Sequence, residues 1–215
     1  PEHGYCEGGR FSGLPYDPVL STDEGRSWYD ALDVTFEKSW SEASKWAFTM
    51  AYTFADAYRK GSDFFTLDFP GIDPANWPKV RARIEKHHLV ASGLVGLPFD
   101  IRMGALVQWG SGLPYSRKDE TIGWGPARVQ VDFNSEDSPN FRQVDLGVEK
   151  AVAVPGRGKV GVLAEVINLF DHENFRGYEE LFKFGGGAEN QNFAKPLTWT
   201  ADTGRRLQLG LNFEF

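Results

Sequence analysis

Strict alternation of apolar and polar residues constrains this chain more than any other feature. Over 28–40 the even positions read Trp28, Asp30, Leu32, Val34, Phe36, Lys38 and Trp40, and the odd positions Tyr29, Ala31, Asp33, Thr35, Glu37 and Ser39. After a polar break at 41–44, Trp46, Phe48, Met50, Tyr52 and Phe54 alternate with Ala47, Thr49, Ala51, Thr53 and Ala55. Successive side chains of a strand point to opposite faces, so a period of two predicts a hairpin with one apolar and one polar face. Five further segments, 88–97, 101–109, 143–152, 159–169 and 205–215, extend the expectation to seven antiparallel strands. In 88–97, small and apolar residues fall on both faces and leave the register open.

The connections carry a second pattern. Residues 41–44, 98–100 and 153–158 are short, 59–87, 110–142 and 170–204 are long, and the two kinds alternate. Short periplasmic turns and long extracellular loops are the habit of outer-membrane barrels. Long surface insertions in a soluble meander are the alternative. Charges on the apolar positions fall near the ends: Lys38 and Lys150 at the short turns, Asp30, Asp56 and Arg205 at the long loops. A Lys or Arg facing lipid at mid-membrane costs about 2–4 kcal/mol, falling towards zero at the interfaces. Aromatics occupy the same levels, Trp40, Trp46 and Phe215 at one end and Trp28, Tyr58 and Trp109 at the other, as two girdles would require. A soluble β-sandwich accounts for the alternation but not for these margins. The expected fold is therefore all-β, an antiparallel transmembrane β-barrel segment, with Asp33, Thr35, Glu37, Thr49, Gln108, Glu149 and Gln208 facing its lumen.

Other classes are less compatible with the composition. A formal net charge of -7 over 215 residues argues against a nucleic-acid partner, which needs clustered Lys and Arg. No run of 18 apolar residues exists, so no membrane helix is expected, and a mean hydropathy of -0.40 is uninformative for strands that hide an apolar face behind a polar one. The single Cys6 has no partner in this chain for a disulfide. His87 and His88 point to opposite faces of a strand and, with Asp171, His172 and Glu173, read as polar residues at strand ends rather than metal ligands. Asp33 and Glu37 lie roughly 13 Å apart along a strand, too far for a carboxylate pair. No catalytic residue, metal or cofactor is expected, and the chain does not read as an enzyme. The glycines at 8–9 and 185–187 read as flexible loop segments rather than phosphate cradles, and the loop aromatics, Trp77 and Phe193 among them, as packing for the loops or as contacts to a ligand.

The last third carries a resemblance. Arg-Gln-Val-Asp-Leu-Gly-Val-Glu-Lys at 142–150, Ala-Glu-Val-Ile-Asn-Leu-Phe at 164–170 followed by Asn-Phe at 174–175, and Gly-Arg-Arg-Leu-Gln-Leu-Gly-Leu at 204–211 closing on Phe215 resemble the final strands of TonB-dependent outer-membrane receptors. Tyr-Asp-Ala-Leu-Asp-Val-Thr-Phe-Glu-Lys at 29–38, Tyr-Thr-Phe at 52–54, His-Leu-Val-Ala-Ser-Gly at 88–93 and Ser-Gly-Leu-Pro-Tyr at 111–115 are similar to preceding strands of the Oar-like members. The resemblance implies a barrel of about 22 strands closed around an N-terminal plug, of which residues 1–215 are the C-terminal part without the plug. It implies TonB-dependent uptake of a scarce ligand across the outer membrane of a Gram-negative bacterium. The implied partners are outer-membrane lipid, the rest of the barrel, the plug, TonB acting through the plug, and the barrel-assembly machinery. In that family the last strand is the assembly signal, which corresponds here to Leu207, Leu209, Leu211, Phe213 and Phe215. The alternative is a small non-transporting barrel for adhesion or structure, closed by an eighth strand from 176–184.

Overall fold

A computed structural model of the chain describes residues 23, 25–61, 74–121, 130–156, 158–197 and 204–214. The described strands are β1 (Arg26–Lys38), β2 (Trp46–Lys60), β3 (Val80–Arg81), β4 (His87–Leu97), β5 (Ile101–Gly110), β6 (Pro114–Asp119), β7 (Gln130–Asp137), β8 (Phe141–Val154), β9 (Gly158–Ile167), β10 (Leu181–Lys183) and β11 (Arg206–Glu214). A single 3-10 turn, Pro74–Asn76, is the one helical element among the described residues.

The seven segments that alternate in the sequence form one antiparallel sheet in the order β1-β2-β4-β5-β8-β9-β11, each strand beside its neighbour in the chain order of the seven. They run 13, 15, 11, 10, 14, 10 and 9 residues. Strands of globular domains are usually about 5–6 residues, whereas about 9–11 tilted residues cross a bilayer. Among the described residues the sheet is open: β1 and β11 are its edges, and with seven antiparallel strands they run in the same direction. Neither edge carries a proline or a bulge, the usual guards against further pairing.

Local chemistry explains the short turns. The Lys38 ammonium folds back into the first, donating to Ser39 O at 3.2 Å, Ser44 Oγ at 2.8 Å and Trp46 O at 3.0 Å, and it lies 4.0 Å from the centre of the Trp46 ring. The second turn reverses the chain through consecutive left-handed residues, Phe99 (φ 67°) and Asp100 (φ 55°), a pairing whose twist suits a tight hairpin.

The long loops fold on one another. Within them β6 and β7 pair antiparallel and β10 joins β6 in parallel, a second sheet of three strands. Segment 176–184 therefore does not add an eighth strand to the large sheet. Its β10 is held in the loops instead, where Arg117 lies 3.7 Å from the Phe182 ring centre and Lys118 pairs with Glu180 at 2.7 Å. β3 pairs with the end of β2 that extends past β4, and Asn134 Nδ2 donates to Arg81 O at 2.6 Å, tying the first long loop to β7. Pro114, Tyr115 and Tyr178 are buried here, with Tyr115 stacked on Tyr178 at 5.4 Å and Phe193 against Phe182 at 5.3 Å. Apart from Ala55 and Ala57, the buried apolar residues among those described belong to this loop assembly, and no described element covers either face of the large sheet with a core.

Candidate functional site

Pairing assigns each side chain of the large sheet to a face. One hydrogen-bonded row runs through all seven strands: Lys38, Phe48, Gly93, Ala105, Leu146, Val166 and Leu207. On this face stand Leu32, Val34 and Phe36 of β1, Met50, Tyr52 and Phe54 of β2, Leu89 and Val95 of β4, Met103 and Val107 of β5, and Val144 and Val148 of β8. On β11, Leu207, Leu209, Leu211 and Phe213 lie on it with 57–73% of their surface exposed, and Leu32 is 60% exposed. Phe215 lies outside the described residues. A contiguous exposed apolar face of this extent marks a surface that meets something other than water.

The charges bounding this face step diagonally across the sheet. Measured from the common row, Asp30 stands eight residues away on β1, Arg142 four on β8, and Arg205, continuing the β11 register, two. At the opposite margin Lys38 lies in the row itself and Lys150 four residues beyond it. Asp56 stands level with Asp30 on β2, and from β1 the long-loop margin then shifts by an average of one residue per strand step, over four steps to β8 and six to β11, as the short-turn margin does over the four steps to β8. With a rise of about 3.3 Å per residue and about 4.8 Å between strands, the charge-free band crosses strands tilted about 35° from its normal. Strands of membrane barrels tilt about 35–45°.

Aromatics fall at the margins with one departure. Trp28, Tyr58 and Trp109 stand at the long-loop end of the apolar face and Trp46 at the other, but Trp40 does not join it. β1 ends at Lys38, and the Trp40 ring turns to the opposite face, 2.8 Å from where a Cβ on Gly96 would sit. Phe99, 83% exposed in the second turn, is an aromatic at that margin which alternation could not reveal. His87 belongs to the apolar face, its Nδ1 2.8 Å from Tyr52 Oη, with Phe54 and Trp109 around it.

The other face is mixed and mainly polar or small: Asp33, Thr35, Glu37, Thr49, Gln108, Glu149 and Gln208 stand on it, together with Val90, Leu94, Leu106 and Leu163. Thr53 Oγ1 donates to Asp33 at 2.6 Å, Arg102 comes within 4.0 Å of Glu149, and Thr35 and Gln108 share a row. Glycines on this face let long side chains lie flat: Glu85, held to His88 at 2.6 Å, covers Gly110, and Glu149 covers Gly161. A small cavity of about 110 Å³ opens at the short-turn end between Arg102, Glu149, Lys159 and Asn212. Among the described residues no three His, Cys, Asp or Glu side chains converge as a metal site.

At the long-loop end a second cavity of about 330 Å³ lies between Arg83, Lys118 and the segment from Arg176 to Glu180. Burial, with Glu136 nearby, raises the Tyr115 hydroxyl above its usual range, and burial does the same to Tyr178. Asp119 is held below the usual carboxylate range by hydrogen bonds from Thr121.

These features define an antiparallel all-β protein with one exposed apolar face and one mixed, mainly polar face. Known protein families, characterised proteins and solved structures offer no match to the chain.

Proposed function

We propose that the large sheet is part of the wall of an outer-membrane β-barrel, with its apolar face in lipid, its polar face towards a lumen and its folded loops outside the cell. The diagonal, charge-free band carries this reading, because a tilt of about 35° follows from it without any assumption about lipid. A soluble sandwich partner would cover the same face but has no need to keep charges out along a line inclined to the rows. The two edges, which carry neither proline nor bulge, favour completion by further strands: in lipid each unmet backbone group costs several kcal/mol. Because β1 and β11 run in the same direction, antiparallel closure takes an odd number of added strands.

On the resemblance of the closing strands, the barrel is a TonB-dependent receptor that imports a scarce ligand, working with a plug, TonB and the barrel-assembly machinery. Fractionation of native membranes tests the assignment. A protein several times longer than this chain, carrying a plug and resisting carbonate extraction from the outer membrane, supports the receptor. A mature protein of this length alone replaces it with the small non-transporting barrel.

A further inference from the structure

We propose that the long-loop margin of the apolar face is a seat for the phosphate of a lipid headgroup; the proposal rests on the reading that this face meets lipid. Arg26 and Lys60 stand directly opposite each other on β1 and β2, an arrangement of like charges that is unfavourable without an anion nearby. One row closer to the band, the Lys79 ammonium lies 4.8 Å from the Trp28 ring centre and 4.3 Å from that of Tyr58. The two rings thus fix a third cation beside the first two. Lys60 spends one donor on Ala75 O at 2.9 Å, and Arg26 and Lys79 have no carboxylate at ion-pair distance among the described residues.

The cluster is local, in a chain whose net charge is -7. Among the described residues of β1 and β2 its facing acids are Asp30 and Asp56, directly opposite one another in the next row towards the band. Another acid, Asp137, is engaged by Arg81 at 2.9 Å. The order along the face is therefore apolar band, acid row, aromatic row with Lys79, then Arg26 and Lys60. An amphiphile whose chains cover Leu32 and Phe54 would have its headgroup at the cationic rows, with Asp30 and Asp56 repelling a phosphate from lying deeper. Aromatic rings and cations at an interface complement an anionic headgroup above an acyl chain.

The test uses the full-length protein in neutral detergent, with phosphatidic acid as probe, phosphatidylcholine as control, and native mass spectrometry to count retained lipid. A surface cation contributes roughly fivefold to binding an anionic lipid. The R26Q/K60Q/K79Q triple variant should therefore retain phosphatidic acid roughly a hundredfold less well than the wild type, with phosphatidylcholine unchanged and R26K/K60R/K79R restoring retention. Equal retention by wild type and triple variant overturns the seat, as does displacement of the lipid by inorganic phosphate at equal concentration, which would make it a free-anion site. Insertion into phosphatidylcholine vesicles separates the two readings. If neither protein inserts, the membrane reading falls and the seat with it; if both insert and retention is equal, only the seat falls.

Discussion

Val34 and Thr35 are neighbours on β1 that face opposite sides of the sheet, and replacing each in turn with arginine probes the register directly. Val34 lies midway between Asp30 and Lys38, four residues from each and 44% exposed. Four residues span about 13 Å along the strand, or about 11 Å of depth at a tilt of about 35°. Val34→Arg therefore puts its charge near the middle of the band, where the cost is about 2–4 kcal/mol. That lowers the ratio of inserted to uninserted protein by a factor of about 30 to 1,000. Thr35 stands opposite Ala51 on the polar face, so Thr35→Arg adds a solvated side chain and should fall within about 0.5 kcal/mol of the parent. Urea titration of the full-length protein in phospholipid vesicles, read by gel mobility of the folded form, measures both. Equal effects of the two substitutions would refute the register. A Val34→Arg penalty that persists undiminished in detergent solution, where the chains can deform around a charge, would point to a protein partner on that face.

Three further outcomes are expected. Tyr115→Ala removes the ring stacked on Tyr178 and leaves a cavity in the loop assembly, a change that costs about 3–5 kcal/mol in a packed core; limited proteolysis should cut the long loops faster while the sheet stays protected. Gly110→Ala sets a Cβ 2.5–2.7 Å from the Glu85 carboxylate, so Glu85 must leave His88, and hydrogen exchange at residues 85–88 should rise. Removing Phe215 should slow assembly into native outer membranes, measured by pulse-chase, if the closing strand is the assembly signal; unchanged kinetics would end that role.

The large sheet was legible because its signal is local. Most of its seven strands alternate in sequence, and a period of two survives whatever the neighbours are. Even so, β2 continues to Lys60, past the point where a loop is expected to begin, because β1 starts earlier and pairs it through Arg26 while β3 holds Tyr58 and Arg59 from the other side, the second a contact no local pattern reports. The face of His87–Leu97 is undecidable from its own small residues; pairing of Ala91 with Met50 and Val107 decides it. Trp40 continues the alternation in sequence but not in space, because the Lys38 ammonium closes the turn before it. β6, β7 and β10 were invisible for a different reason. They are held by pairs distant in sequence, Tyr115 with Tyr178 and Arg117 with Phe182, and β10 pairs in parallel, which no hairpin signal announces. The margins of the apolar face were partly legible: Asp30 and Lys38 could be read from one strand, but the diagonal appears only when pairing places Arg142 in the row of Val34.

The central claim is that a charge-free band in lipid climbs the sheet by one residue per strand. Single spin labels placed along 30–38 of β1 and 142–150 of β8, in full-length protein reconstituted into vesicles, report access to oxygen dissolved in lipid and to a water-soluble nickel chelate. The account predicts oxygen access at even positions of both strands, greatest at Val34 on β1 and at Leu146 on β8, with residues outside the two charged margins open to the chelate. Equal chelate access at odd and even positions would contradict it. So would a β8 maximum at Arg142, which shares the row of Val34 and would make the band run level with the rows.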